Sequence, residues 1–211
     1  MRFSGEASTR GTAVVVDLHG QRFLLTAKHL CIDEPEEQVT LAHPWTNDGA
    51  PMVTVLERVG RRDSPGDVAL FRLPSGLLSD AVGTVDVLSA GYFITQECFI
   101  LGYPYGLALT FSEASNVQLP LVKRGIIAGA SGPPSDRVLY LDLVANPGFS
   151  GGPVVIRNGT TGRQQVIAVV KGTLTGPLVE PTLAEPSPPR VTAGLSLATE
   201  VDSALRLLGL G

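Results

Sequence analysis

The sequence predicts an all-β protein of two small antiparallel barrels packed against each other and closed by a C-terminal helix. Three observations lead there. Short runs rich in β-branched and aromatic residues recur along the chain, about a dozen of them, punctuated by turns. Helical periodicity is confined to the last stretch, where Val201, Leu205 and Leu208 share one face. A chain of 211 residues that is 44% hydrophobic can bury one large all-β core or two small ones. No internal repeat relates the halves, so the two-barrel reading rests on strand count.

In order, strands are expected over 13–18 and 22–27, around the turn residues His19-Gly20-Gln21. Residues 28–32 are too few for more than a helical turn, and Asp33-Glu34-Pro35-Glu36-Glu37 reads as a solvated acidic loop. Strands over 39–42 and 52–59 flank the loop from His43 to Gly49. The turn Arg61-Arg62-Asp63-Ser64-Pro65-Gly66 then leads into Asp67-Val68-Ala69-Leu70-Phe71-Arg72-Leu73, an apolar strand with an acid at its first position. Residues 74–88 are mixed and connect the halves, dividing the chain into 1–90 and 91–211. The second half carries strands beginning at Cys98-Phe99-Ile100-Leu101 and near 118–128, 137–145, 153–157, 164–172 and 191–197. Residues 173–190, rich in proline, read as a long external loop. Thr199, with Asp202 three residues on, marks the start of a helix over 198–209.

Composition excludes several classes of function. The net charge of -4 and pI near 5.4 argue against a phosphate-binding surface, and the basic pair Arg61-Arg62 is followed by Asp63. Neither nucleic acid nor membrane is an expected partner: no apolar run approaches the roughly 18 residues of a span, and Met1-Arg2-Phe3-Ser4-Gly5 lacks the apolar core of a signal peptide. The chain is therefore read as cytoplasmic. Cys31 and Cys98 are too few for a disulfide framework or a cysteine-rich zinc site, and are expected as free thiols in separate halves.

The chemistry centres on Asn146-Pro147-Gly148-Phe149-Ser150-Gly151-Gly152-Pro153. One serine among glycines and prolines sits on a tight backbone path that other groups can approach closely. A serine hydroxyl becomes nucleophilic when a base takes its proton, and the resulting oxyanion needs backbone N–H donors, here from Gly148 and Ser150. Of the three histidines, His19 falls in a hairpin turn and His43 in a loop, whereas His29 directly follows an apolar strand able to aim it into a cleft. Asp67, opening an apolar strand, is a better imidazole partner than Asp63 in its charged turn. A glycine-rich turn without chemistry is the plain alternative.

These blocks, Thr26-Ala27-x-His29, Gly66-Asp67-Val68-Ala69-Leu70 and Gly148-x-Ser150-Gly151-Gly152-Pro153, resemble those of the chymotrypsin-like serine peptidases. Gly11-Thr12-Ala13-Val14, the run from Phe99 to Leu107, and Val122-Lys123-Arg124-Gly125-Ile126-Ile127-Ala128 resemble the bacterial, HtrA-like branch. The resemblance covers roughly 11–208. It implies two six-stranded antiparallel barrels, with His29 and Asp67 on the first and Ser150 on the second. It further implies a serine endopeptidase with Ser150 as nucleophile, His29 as base, Asp67 as its partner and Gly148 and Ser150 as the oxyanion hole, acting on protein or peptide without metal or organic cofactor. No PDZ-type domain is expected after the catalytic one. A regulatory protein partner or a larger parent assembly is compatible with the resemblance. Two rivals are a small-ester hydrolase with the same triad and a latent module that binds peptides.

The resemblance also places a specificity pocket. The position six residues before the nucleophile is Val144, and Val169, Val170 and Gly172 are expected to line a further wall, favouring a small or medium apolar side chain before the cleaved bond. Lys171 would select an acidic side chain if turned inward, and strand alternation leaves its direction open. Phe149, directly before the nucleophile, has no charge for a newly cut N-terminus to pair with, so no N-terminal cleavage is expected to be needed.

Overall fold

The computed structural model describes residues 2–4, 10–31, 36–42, 52–60, 63–77, 83–88, 91–110, 118–177 and 190–209. Seven strands from the first half form one sheet: β1 (Arg2–Ser4), β2 (Arg10–Thr12), β3 (Val14–Leu18), β4 (Gln21–Thr26), β5 (Glu36–Ala42), β6 (Met52–Val59) and β7 (Ala69–Arg72). Their order is β2-β1-β5-β6-β7-β4-β3, antiparallel throughout. The two edges, β2 and β3, are consecutive in the chain with only Ala13 between them, so the sheet curls until its ends meet. There the Thr26 hydroxyl donates to the Thr12 carbonyl at 2.7 Å. The β3–β4 hairpin turns on His19 and Gly20, both at positive φ (56° and 80°), the primed-turn geometry that matches strand twist. Asp17 Oδ1 accepts the Gly20 N–H across this turn.

The second half adds β8 (Asp86–Val87), β9 (Glu97–Gly102), β10 (Leu109–Thr110), β11 (Gln118–Leu119), β12 (Leu121–Ser131), β13 (Val138–Asp142), β14 (Pro153–Arg157), β15 (Gln164–Pro177), β16 (Arg190–Glu200) and helix α1 (Asp202–Leu207). Strands β14-β9-β12-β13-β16-β15 close into a six-stranded barrel through the β14–β15 pairing, and β10–β11 form a small separate ladder. The all-β architecture with a C-terminal helix is as expected. Two pairings depart from the antiparallel rule: β8 lies parallel to β15, and Val85 makes an isolated parallel bridge to Val16. With the Val16–Val85 bridge and the Leu88 N–H on the Val166 carbonyl, residues 83–88 stitch the halves together rather than merely joining them.

Several boundaries differ from the sequence reading, each because ladder pairing overrides local composition. Glu36 and Glu37 belong to β5, opposite Glu57 and Leu56, not to an acidic loop. Asp67 and Val68 precede β7 instead of opening it. Residues expected in the proline-rich loop pair as strand, Pro177 opposite Arg190, leaving 178–189 outside the described residues. The helix starts at Asp202, not 198, because Ala198, Thr199 and Glu200 are held in β16 between β13 and β15. Asp33 to Pro35 and the loop from His43 to Gly49 also lie outside the described residues.

Two apolar clusters hold the halves. The first gathers Val16, Leu24, Leu25, Leu56, Leu70 and Phe71 and extends into the second half through Val155, Val166, Val169, Val201 and Ala204. The second lies inside the closed barrel around Ile100, Ile127, Leu139, Leu141, Phe149 and Ile156. Successive residues of β14 and β15 therefore serve different cores, Val154 and Val170 the second, Val155 and Val169 the first, which is why these strands read as continuous apolar runs. Fully burying each such side chain contributes about 1.5–3 kcal/mol.

The cysteines divide as the strands do: Cys31 packs half-buried against the first cluster, and Cys98 is fully buried in the second. Burial, with a smaller contribution from the Glu97 charge, pushes the Cys98 thiol up to about 11. Because the thiolate is the reactive form, a thiol reagent at pH 8 should modify Cys31 and spare Cys98 until the protein is unfolded. Quantitative mass spectrometry reads this directly, and equal labelling of both in the native state would contradict the packing.

Candidate active site

His29 is carried by a single 3-10 turn, Lys28–Leu30, directly after β4. Ala27 and Leu30 are buried in the first core, and the turn closes through Leu30 N–H on the Ala27 carbonyl and Cys31 N–H on that of Lys28. With both neighbours anchored, the His29 side chain is left facing outward, 42% exposed. Asp67 reaches it from the bend before β7, where buried Val68 to Phe71 hold the backbone, and is only 11% exposed. Its carboxylate makes two contacts: Oδ1 accepts the His29 backbone N–H at 2.9 Å, and Oδ2 lies 2.7 Å from Nδ1. Burial raises the Asp67 carboxyl, and the His29 ring and N–H together with the Lys171 charge pull it down further, so the group ends below its ordinary value. Asp63 is exposed, and His19 sits exposed in its hairpin turn, so neither shares this contact.

Ser150 stands at the end of a turn in which the Phe149 N–H bonds the Asn146 carbonyl at 3.1 Å. Gly148 takes φ +102° there, and an added Cβ would run into the Tyr103 carbonyl and Pro104, so glycine is required twice over. The same holds at Gly151 (φ +80°), whose missing Cβ leaves room for the Thr12 carbonyl and the Thr26 hydroxyl. The Pro147 carbonyl accepts the Tyr105 N–H at 2.8 Å. Since carbonyl and N–H of one trans peptide point in opposite directions, the Gly148 N–H is turned away from Tyr105. Among the described residues, neither the Gly148 nor the Ser150 N–H donates to a protein acceptor.

The first half grips this loop through Thr12. Its N–H donates to the Ser150 carbonyl at 2.8 Å, its hydroxyl donates to the Gly148 carbonyl at 2.7 Å, and that same hydroxyl accepts the Tyr103 N–H. Strand β15 supports the other side, with Gly151 N–H on the Val170 carbonyl and Val170 N–H on that of Gly152. The Ser150 hydroxyl donates to the Lys171 carbonyl at 3.2 Å, and no hydrogen bond joins it to His29.

Lys28, His29, Gly66, Asp67, Asp136 and Lys171 line an open cavity of about 570 Å³ beside the imidazole. Lys171 borders this cavity, and its charge is near enough to draw the Asp67 carboxyl down. Val169 and Val170 are wholly buried, one in each core, and do not line an open pocket as expected; burial on both faces of β15 is the reason. Gly172 does border open space, for an added Cβ would meet nothing within 4 Å. Val144 is half-buried, and its carbonyl is bonded by Lys123. The roles of Thr12 and Lys123 had not been read from the sequence; both lay within runs noted for resemblance, and nothing local marks their long-range partners. Among the described residues no group of three His, Cys, Asp or Glu side chains is placed to hold a metal, and no helix is long and apolar enough to cross a membrane.

The family profile described as trypsin-like peptidase domain matches residues 11–169. The chloroplastic protease Do-like 1 of Arabidopsis thaliana is 29% identical over 151 residues, which make up 71% of this chain and 31% of that protein. Among solved structures, the HtrA-type protease AlgW, determined with a tripeptide, superposes with a TM-score of 0.62 at 20% identity, covering 99% of this chain and 57% of that one. The inactive form of the Rv3671c protease, from M. tuberculosis, gives 0.59 at 18% identity, covering 99% and 86%. These last two are likenesses of fold. With the family profile spanning most of its length, the chain belongs to the trypsin-like peptidase domain family.

Proposed function

We propose that this chain is a serine endopeptidase working through His29, Asp67 and Ser150 and an acyl-enzyme intermediate. The observation that carries the reading is the two-point contact of Asp67 with His29. A carboxylate on both Nδ1 and the backbone N–H of one histidine fixes the ring and keeps its proton on Nδ1, leaving Nε2 to act as base. Turning about its χ1, the Ser150 hydroxyl leaves the Lys171 carbonyl for Nε2. As Oγ bonds the scissile carbonyl carbon, His29 takes the hydroxyl proton, and the carbonyl oxygen becomes an anion met by the Gly148 and Ser150 N–H groups. Collapse of this intermediate expels the amine, which receives the proton from His29. Water then repeats the cycle on the acyl ester and frees Ser150. Each oxyanion donor is worth about 10²–10³ in rate in comparable sites.

A protein or peptide substrate is supported by the likeness to AlgW, whose structures hold a tripeptide and a decapeptide. The lining of the specificity pocket reduces to Val144 and Gly172, and with Val144 where a carboxylate would be needed for arginine or lysine, a small apolar side chain before the cleaved bond fits best.

A fluorophosphonate probe should label the wild-type protein and leave Ser150→Ala unlabelled. Hydrolysis of fluorescein-labelled casein should fall about 10⁴-fold in Asp67→Asn and on the order of 10⁶-fold in His29→Ala and Ser150→Ala, with the thermal midpoint of Ser150→Ala retained. Full activity in His29→Ala would overturn the assignment, and labelling without hydrolysis of casein or peptides would favour the ester hydrolase or the latent module.

A second expectation follows from the depressed Asp67 carboxyl. A group more acidic in the folded than in the unfolded state stabilises the fold fully above its unfolded value, about 3.9, and loses that contribution as pH falls through the folded value. Denaturant titrations of wild type and Asp67→Asn should therefore converge below about pH 4 and separate above it. A stability difference independent of pH would contradict the linkage.

A further inference from the structure

The loop that carries Ser150 is tied to the barrel by a cation. Lys123, half-buried on β12, donates from Nζ to the Val144 carbonyl at 2.5 Å and to the Asn146 side-chain oxygen at 2.6 Å. Its ammonium also stands 5.6 Å from the centre of the Phe149 ring. These three partners span the loop from its first residues to the one before Ser150. The root of the lysine is held by the ladder to β9, which runs from Leu121 to Ile126 and sets Lys123 opposite Ile100. A half-buried ammonium has lost much of its hydration, so charge-assisted hydrogen bonds and an aromatic face replace water and make the site worth keeping closed.

The contacts bear on the geometry of the turn from Asn146 to Phe149. Its hydrogen bond from Phe149 N–H to the Asn146 carbonyl orients the Pro147–Gly148 peptide, and hence the Gly148 N–H. Lys123 holds the first residue of that turn by its side chain and the last by its ring. Phe149 is fully buried and uncharged, so the loop has no acid at that position through which an ion pair could order it. The cation is instead supplied from within the barrel and meets carbonyl, amide and ring in place of a carboxylate.

We propose that Lys123 is a positioning residue that holds the Gly148 and Ser150 N–H groups in the orientation that receives the oxyanion. The inference rests on reading those two groups as the oxyanion donors. A merely structural staple would alter stability alone, whereas a positioning residue alters turnover and leaves substrate affinity in place.

The test compares wild type, Lys123→Met, which keeps the length and the apolar stem, and Lys123→Arg, which keeps the charge. The rate of phosphonylation of Ser150 by a fluorophosphonate, whose phosphonyl oxygen takes the oxyanion position, should fall about ten- to a hundredfold in Lys123→Met. kcat on fluorescein-labelled casein should fall in step while KM and the thermal midpoint hold, and Lys123→Arg should recover part of the loss. A folded Lys123→Met that is phosphonylated and turns over at the wild-type rate overturns the proposal. If Lys123→Met does not fold, Asn146→Ala takes its place: a lower kcat at unchanged KM supports the proposal, and a wild-type kcat overturns it. A wild-type chain that is neither labelled at Ser150 nor active on casein removes the nucleophile itself, and the inference with it.

Discussion

Thr12 is the residue on which both halves of the site depend. It is 2% exposed, and its N–H, hydroxyl and carbonyl are all engaged, with the Ser150 carbonyl, the Gly148 carbonyl, the Tyr103 N–H and the Thr26 hydroxyl. It takes the Gly148 and Ser150 carbonyls, while the N–H groups of the same two peptides, those of Phe149 and Gly151, go to the Asn146 and Val170 carbonyls. By taking Thr26, at the end of β4, it ties the same point to the turn that carries His29. An unpaired polar atom in so buried a place costs about 1–3 kcal/mol, so the contacts stand or fall together.

Packing explains why such a clamp is needed. The first core reaches across the interface to Val155, Val166 and Val169 on the outer face of the closed barrel, whereas Phe149 is sealed inside it. The loop of Ser150 therefore runs between two cores that are close-packed and stiff, and it takes its position from both. The His29 turn is rooted in one core alone, through Leu30. Bringing histidine and serine together is then a matter of how the halves dock, which apolar burial drives and the Thr12 bonds orient.

Charge is distributed around the site in a matching way. Asp67 is the more buried member of its pair and stays ionised because His29 and Lys171 outweigh its burial. Lys171 lends its carbonyl to the Ser150 hydroxyl and its charge to Asp67, beside the cavity it borders. Lys123 acts on the opposite side of the loop, on residues that lack charge of their own. Among the described residues neither lysine stands within ion-pair distance of a carboxylate.

What the sequence by itself determined is what short-range chemistry controls. Glycine at positions 148 and 151 dictates a tight turn around Ser150, alternation and β-branching dictate the strands, and the surroundings of His29 and Asp67 single them out from His19 and Asp63. The chain order of the three residues, with the apolar strands around them, was enough to expect the family. What only the tertiary structure decided is what depends on pairing between distant segments. Val169 and Val170 look like a pocket wall in one dimension and turn out to serve two cores, because the closed barrel buries both faces of β15. Residues at the edges of the proline-rich stretch become strand because a partner strand supplies hydrogen bonds that local composition cannot announce. Thr12 meets Gly148 from 136 residues away and Lys123 meets Asn146 from 23, and no local pattern encodes a contact that exists only once two sheets have closed.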